Sequence, residues 1–353
     1  MTGHLKLTAY LGERQRSGSR FAAEAMLDLF TERCVASSIM LRGVTGFGAR
    51  HVLRTDESLS LSEDPPISIA AVDTDAVIGA LAADIAALLP RGLITVERAR
   101  LLGAPDALAL DDGAVRVTIG LGRNRRIGNT PAFVAVCELL FQHRFAGATA
   151  LLGVDGTLDG RRRRAHFFSR NRDVPLVIIA VGTAAQARAA LPDLRAMLID
   201  PMVTAERIAV CKRDGVFLQR PPVLPATDSH GRPLWQKLMI HTSEATRHDG
   251  QPIHRAIVRQ LRQQRAAMGA TVLRGVWGFH GDQAPHGDSL VQWGRQVPVT
   301  TTIIDTPDNI ARSFDLVDEL TAEHGLVTCE TVPALLALDG PQPRGGLELA
   351  VYP

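Results

Sequence analysis

The chain repeats itself three times, and no other feature constrains its fold as much. LRGVTGFGAR at 41–50 returns as LRGVWGFHGD at 273–282 and, more loosely, as LLGVDGTLDG at 151–160. A shift of 110 places Gly18, Gly43, Val44 and Gly46 on Gly128, Gly153, Val154 and Gly156; a shift of 232 places the same four on Gly250, Gly275, Val276 and Gly278. Pro66, Thr74, Thr95 and Glu97 recur in the same order as Pro175, Thr183, Thr204 and Glu206, then as Pro298, Thr306, Thr328 and Glu330. Internal repetition of this kind means one supersecondary unit used three times. The units span 1–102, 115–212 and 235–335, joined by 103–114 and 213–234 and followed by a tail, 336–353.

Each unit reads βαββαβ. An apolar strand (LKLTAYLG, VRVTIGLG or WQKLMIHT) leads to a helix with an apolar stripe at Phe21, Ala25, Met26 and Leu29 in the first copy and Ile253, Ile257, Val258 and Leu261 in the third. Two strands flank the glycine-rich motif. Thr74, Thr183 and Thr306 stand where a second helix begins, as side-chain N-caps. Pro192 falls inside that helix in the middle copy and predicts a kink or a restart. A last strand (LITVE, MVTAE or LVTCE) closes the unit. This order is the ferredoxin-like arrangement, so the expected fold class is α+β, with three tandem ferredoxin-like repeats. The linker 213–233 holds four prolines and predicts an extended strap. The last apolar residues of the tail predict an edge strand.

A unit of this kind covers one sheet face with its helices and leaves the other bare. Bare apolar sheet must be buried. Three units in one chain can turn their open faces to a shared centre and cover one another's edges, so the expectation is an intrachain pseudo-trimer that needs no second subunit. Three separate beads is the alternative.

Composition narrows the function classes. The 39 basic and 37 acidic residues give a formal net charge of +2, and aromatic residues make up 5%. Neither favours a nucleic-acid partner. Cys34, Cys137, Cys211 and Cys329 form no CxxC pair and read as buried free thiols. The N-terminal MTGHLKLTAYLGERQ has no signal-peptide pattern, and the longest apolar run, VPLVIIAV at 174–181, is too short to span a bilayer. A soluble cytoplasmic protein is expected.

The motif admits two readings. Gly43, Gly46 and Gly48, with Gly275 and Gly278, can aim backbone N–H groups at an anion, and Arg42 and Arg274 add forked donors. Phe47 and Phe279 close the motif, while Glu13 with Arg16, and Glu244 with Arg247, recur after the first strand and would line the same cleft. The other reading is a glycine turn set by strand geometry, with each arginine paired to a glutamate. The middle copy has Arg123, Leu152 and Thr157 at the positions of Glu13, Arg42 and Phe47, so the first and third copies are the expected ligand sites. Glu97, Glu206 and Glu330 occur in every copy and read as structural.

YLGExxRxxG, then LRGVxGFG, then a terminal GLITVE, as in Tyr10–Glu13, Arg16, Gly18, Leu41–Gly48 and Gly92–Glu97, resembles the PII-like proteins of domain-of-unknown-function family 190. Glu244, Arg247, Gly250, Leu273–Phe279 and Gly325–Glu330 carry the resemblance in the third copy; the middle copy departs from it. The resemblance implies a homotrimer-like ring of ferredoxin-like units, ligands in the clefts between them, and signalling through a loop between the second and third strands, here 45–57 and 278–290. It also implies a small-molecule effector, an adenine nucleotide or another small anion such as 2-oxoglutarate, with no bound cofactor. Because genes of the family often neighbour fluoride-channel genes, it further implies a membrane transporter or channel as partner.

Remaining clusters are read more plainly. Arg161–Arg164 could grip an acidic partner or a phosphate, or form a solvated loop tip, and the loop tip is favoured. His241, His248, His254, His280 and His286, with Asp282 and Asp288, have no helical HxxxH spacing, so no metal site is assigned. A structural or metal-binding scaffold remains the alternative function. No nucleophile elbow or carboxylate pair appears, and the expected protein is not an enzyme.

Overall fold

A computed structural model describes residues 3–55, 64–102, 112–158, 160–164, 174–199, 201–287, 297–338 and 344–349. It is an α+β protein with six helices among these residues. Copy 1 comprises β1 (His4–Gly12), α1 (Ala22–Glu32), β2 (Ser37–Arg42), β3 (Thr45–Phe47), β4 (Pro66–Thr74), α2 (Asp75–Leu88) and β5 (Gly92–Leu101). Copy 2 comprises β6 (Ala114–Gly122), α3 (Ala132–Gln142), β7 (Gly147–Leu152), β8 (Asp155–Leu158), β9 (Pro175–Thr183), α4 (Ala184–Met197), β10 (Met202–Arg207) and β11 (Ala209–Arg213). Copy 3 comprises β12 (Trp235–Ser243), α5 (Ile253–Gln263), β13 (Ala270–Arg274), β14 (Trp277–His280), β15 (Pro298–Asp305), α6 (Pro307–Leu320), β16 (Leu326–Val332) and β17 (Ala334–Leu338).

Within each copy the antiparallel order is second strand, third, first, last: β2-β4-β1-β5, β7-β9-β6-β10 and β13-β15-β12-β16. The first and third strands are therefore central, each hydrogen-bonded on both sides. Each copy packs its own core between sheet and helices: Leu7, Met26, Phe30 and Ile69 in copy 1, Ile119, Val136, Leu140 and Ile178 in copy 2, and Leu238, Ile257, Ile303 and Phe314 in copy 3.

Several local expectations change. The buried face of α1 is Ala22, Ala23, Met26, Leu27 and Phe30; Phe21 is the N-cap, 42% exposed, with the Arg16 guanidinium over its ring. The face predicted in α5 is buried throughout. Thr74 and Thr183 accept hydrogen bonds from Val77 and Gln186 N–H as predicted, but Thr306 makes no side-chain cap. There the Asp305 carboxylate takes the Thr306 N–H and the Asn309 amide instead. Pro192 does not restart α4: Ala184–Met197 is one continuous helix with the proline inside it. Cys34 is exposed, while Cys137, Cys211 and Cys329 are buried. The edge strand expected of the last apolar residues of the tail falls largely on 350–353, outside the described residues; Ala334–Leu338 pairs with β5 on one side and Arg344–Gly346 on the other. The linker 103–111, the tail residues 339–343 and 350–353, and the outer parts of the loops at 56–63 and 288–296, with Asp288, lie outside the described residues.

The copies are joined in a closed circuit. β3 of copy 1 pairs with β13 of copy 3, β8 of copy 2 with β2 of copy 1, and β14 of copy 3 with β7 of copy 2. A second set joins the last strands to their neighbours: β5 with β10, β11 with β16, and β17 with β5. Leu41, Leu151 and Leu273, one from the end of each second strand, meet in one apolar cluster.

Candidate functional site

The glycine motif is where the chain crosses from its own copy to the next. After β2, Gly43 N–H donates to Pro66 O and Val44 N–H donates across to Val272 O, at 2.7 and 2.9 Å. Gly153 and Val154, then Gly275 and Val276, repeat both bonds on Pro175 O and Met40 O, then on Pro298 O and Ala150 O. A Cβ at Gly46 would collide with the Ala270 carbonyl oxygen, and at Gly278 with that of Ala148. The backbone N–H groups of this turn are thus engaged by protein carbonyls, and its glycines admit a neighbouring strand at close range. Gly48 has open space around its Cα.

The flanking charges are paired. Arg42 Nε donates to Glu13 Oε1 at 3.0 Å, and Arg274 Nη2 lies 2.7 Å from Glu244 Oε1. Arg16 and Arg247 donate to the carbonyls of Ser19 and Gly250, closing the hairpin turns before α1 and α5, and Arg126 does the same to Asn129. Phe47 and Phe279 are buried.

The recurring glutamates converge. The third residue of each first strand is basic, namely Lys6, Arg116 and Lys237, and it faces Glu97, Glu206 and Glu330 from the last strands. Lys6 Nζ lies 2.9 Å from both Glu97 and Glu206, Lys237 Nζ lies 3.0 Å from Glu330 and also bonds Glu97, and Arg116 reaches Glu206 at 3.5 Å and Glu330. All six are less than 10% exposed. Burial alone would raise the Glu97 carboxyl pKa, but Lys237, Lys6 and Arg116 outweigh it and hold it far below the usual range. Glu330 is lowered too, against burial, chiefly by Arg116 and Lys237. Three cations and three carboxylates at the meeting point of three copies form a balanced buried cluster.

Between copies 1 and 2 lies an open cleft of about 1630 Å³. Arg125 and Arg126 from the loop after β6, Arg161 and Arg163 from the run after β8, and Arg195 from α4 line it. The other two arginines of the run turn away: Arg162 binds Asp155 and Asp28, and Arg164 lies 3.0 Å from Glu24. The corresponding space between copies 2 and 3 is used by the chain itself. Gly215 N–H approaches Gly325 O at 3.5 Å, and a Cβ on Gly215 would strike the backbone of Ala322 and Glu323. Asp214 lies against Gly281. Ala322, Glu323 and Gly325 are the counterparts of Leu198, Ile199 and Pro201, which all border the open cleft. The linker predicted as a strap thus begins as a hairpin filling one cleft.

Residues matching the family model of domain of unknown function 190, described as "Uncharacterized ACR", are 4–101, 114–210 and 235–334. The chain belongs to this family. A UPF0166 protein of Aquifex aeolicus (strain VF5) is 30% identical over 99 residues, 28% of this chain and 90% of the relative. Among solved structures, an unknown protein from Galdieria sulphuraria is similar over 63% of this chain and 98% of its own at 10% identity and a TM-score of 0.18. A mutant chlorite dismutase from Candidatus Nitrospira defluvii is similar over 64% and 94% at 11% identity and a TM-score of 0.16. Likenesses this low carry no argument.

In this triple-copy DUF190 chain the structure thus sorts the sequence candidates into three places. The motif glycines lie at the seams between copies, Glu13–Arg42 and Glu244–Arg274 form pairs at the roots of the loops, and Arg16 and Arg247 hold turns. Sequence reasoning passed over Lys6, Arg116 and Lys237, although one basic residue inside each apolar first strand was the signal. His241 and His280 come close, with ring centroids 6.4 Å apart. Burial lowers their pKa values to about 3 and about 4, with the His280 charge adding to the effect at His241. Among the described residues no group of three or more His, Cys, Asp or Glu could hold a metal ion, and no helix is long and apolar enough to cross a membrane.

Proposed function

We propose that this DUF190 protein is a non-catalytic, PII-like regulatory sensor: three ferredoxin-like units closed into an intrachain pseudo-trimer that binds a small anion between copies. The arginine-lined cleft between copies 1 and 2 carries the reading. Five arginines line it, Arg125 and Arg161 among them, so an anion that enters is drawn in by positive charge and met by forked donors. A nucleotide phosphate or a small dicarboxylate fits this chemistry. The first and third loop roots, where Arg42 and Arg274 are already matched by Glu13 and Glu244, would serve as weaker sites, since an anion there must displace a carboxylate. Ligand in the cleft bears on the loop after β8 and, through the seams, on the neighbouring loops, so occupancy would alter the surface offered to a partner protein.

Calorimetry with ATP, ADP, pyrophosphate and 2-oxoglutarate tests the reading. Binding of at least one, weakened tenfold or more in Arg125→Ala/Arg161→Ala and less in Arg42→Ala, is expected. No binding by any of the four removes its support.

A further inference from the structure

The cleft does not end at its arginines. Ser37, Gly120, Leu121, Leu158 and Met202 border it and also border a second, inner chamber of about 130 Å³. Ile39 and Leu41 of copy 1, Val177 and Ile179 of copy 2, and Met239 and Leu273 of copy 3 give this chamber a largely apolar wall. Its floor is the buried charge cluster, through Lys6, Arg116 and Lys237. The volume is close to that of cavities, about 150 Å³, that take up a benzene-sized guest, and hydroxyls of Thr8, Ser68, Thr118 and Thr302 stand among the apolar side chains.

What joins the two spaces is a missing side chain. The seventh residue of the first strand is Tyr10 in copy 1 and His241 in copy 3, both large and both packed inward; in copy 2 it is Gly120. A Cβ there would find its nearest neighbours at 3.8 and 4.0 Å, Ser37 Oγ and Met202 O, so the position is open enough for a side chain and has none. The gap faces the cleft that has the arginines and that the linker hairpin does not fill.

We infer that the copy 1–copy 2 site takes an amphipathic anion: a phosphate-bearing head between Arg125 and Arg161, with a short apolar tail or single ring passing Gly120 into the chamber. The inference rests on the proposed anion site and adds the ligand's second half. Head and tail have separate energetic signatures. The head is held by charge and is weakened by salt. The tail gains by leaving water, roughly fourfold in affinity per buried methylene, until the chamber is full.

The test compares methyl phosphate, n-butyl phosphate and n-butanol by calorimetry on the full chain. Butyl phosphate is expected to bind at least tenfold more tightly than methyl phosphate, with Arg125→Ala/Arg161→Ala weakening both. Gly120→Tyr, which restores the residue of copy 1, should bring the butyl-to-methyl ratio close to one. Leu273→Phe, which fills the chamber from the copy that does not border the cleft, should do the same and serves if the first variant fails to fold. Equal affinity of the two phosphates in the wild-type protein, or a ratio that both variants leave intact, overturns the tail while leaving the anion site standing. Absence of binding by either phosphate, like uptake of butanol alone, overturns the amphipathic ligand and withdraws support from the anion site as well.

Discussion

Residues that look incidental in the sequence hold the most concentrated energetics. Lys6, Arg116 and Lys237 are each the one basic residue in an apolar strand, and only the pairing of the first strand with the last shows that they share three glutamates. Removing one partner of such a cluster leaves an uncompensated buried charge. Arg116→Met should therefore cost about 3–5 kcal/mol in denaturant unfolding; a cost under 1 kcal/mol would mean that the six charges do not act together. The histidines set the acid response. His241 and His280 are neutral in the fold, with pKa values lowered to about 3 and about 4. The unfolded chain binds protons there below its ordinary value near 6.5, so their contribution is complete above that pH and drains away as pH falls toward the folded values. At pH 5 the loss for His241 is on the order of 2 kcal/mol. The thermal midpoint should drop between pH 7 and pH 5, and His241→Gln should flatten that drop. The lowered Glu97 and Glu330 act further down: their stabilisation is present above the unfolded carboxylate range and is lost as pH falls below it.

At the scale of elements, the motif that resembles a phosphate cradle acts as a splice. Its first glycine bonds its own copy, the next residue bonds the neighbour, and Gly46 or Gly278 lets the neighbouring strand approach. Gly46→Val should open the β3–β13 seam. Hydrogen exchange would then rise at 45–47 and 270–272 while protection in the copy 2 core stays unchanged; unchanged exchange at the seam would refute the assignment. The glycines, the two helices and the order of strands were legible in the sequence because each obeys a local rule of periodicity, capping or turn chemistry. The destination of the motif was not, because strand pairing between residues more than a hundred positions apart leaves no local trace. The Arg161–Arg164 run shows the same limit: Arg162 and Arg164 reach carboxylates of β8 and copy 1 while Arg161 and Arg163 border the cleft, a placement set by the β8 hairpin and invisible in GRRRRA. Gly120 was silent for a different reason, since its meaning lies in the side chains its counterparts carry.

For the whole molecule, fusing three copies frees them from identity. A ring of identical subunits would have three equal clefts. Here the linker hairpin at 213–217 fills the cleft between copies 2 and 3, while arginines line the one between copies 1 and 2. Deleting the 214–217 hairpin in favour of a short Gly/Ser link should expose a second cleft without creating a second strong anion site, because the stretch GDQAPHG at 281–287 of copy 3 holds no arginine where copy 2 has Arg161–Arg164. A doubled stoichiometry in calorimetry would contradict that. All of this depends on the six inter-copy strand pairings existing in solution. Small-angle scattering on the protein at the mass of one chain measures this directly: a closed ring of 353 residues should give a radius of gyration of about 20 Å, whereas a value well above that, with the profile of three linked bodies, would contradict the closed circuit and everything placed between its copies.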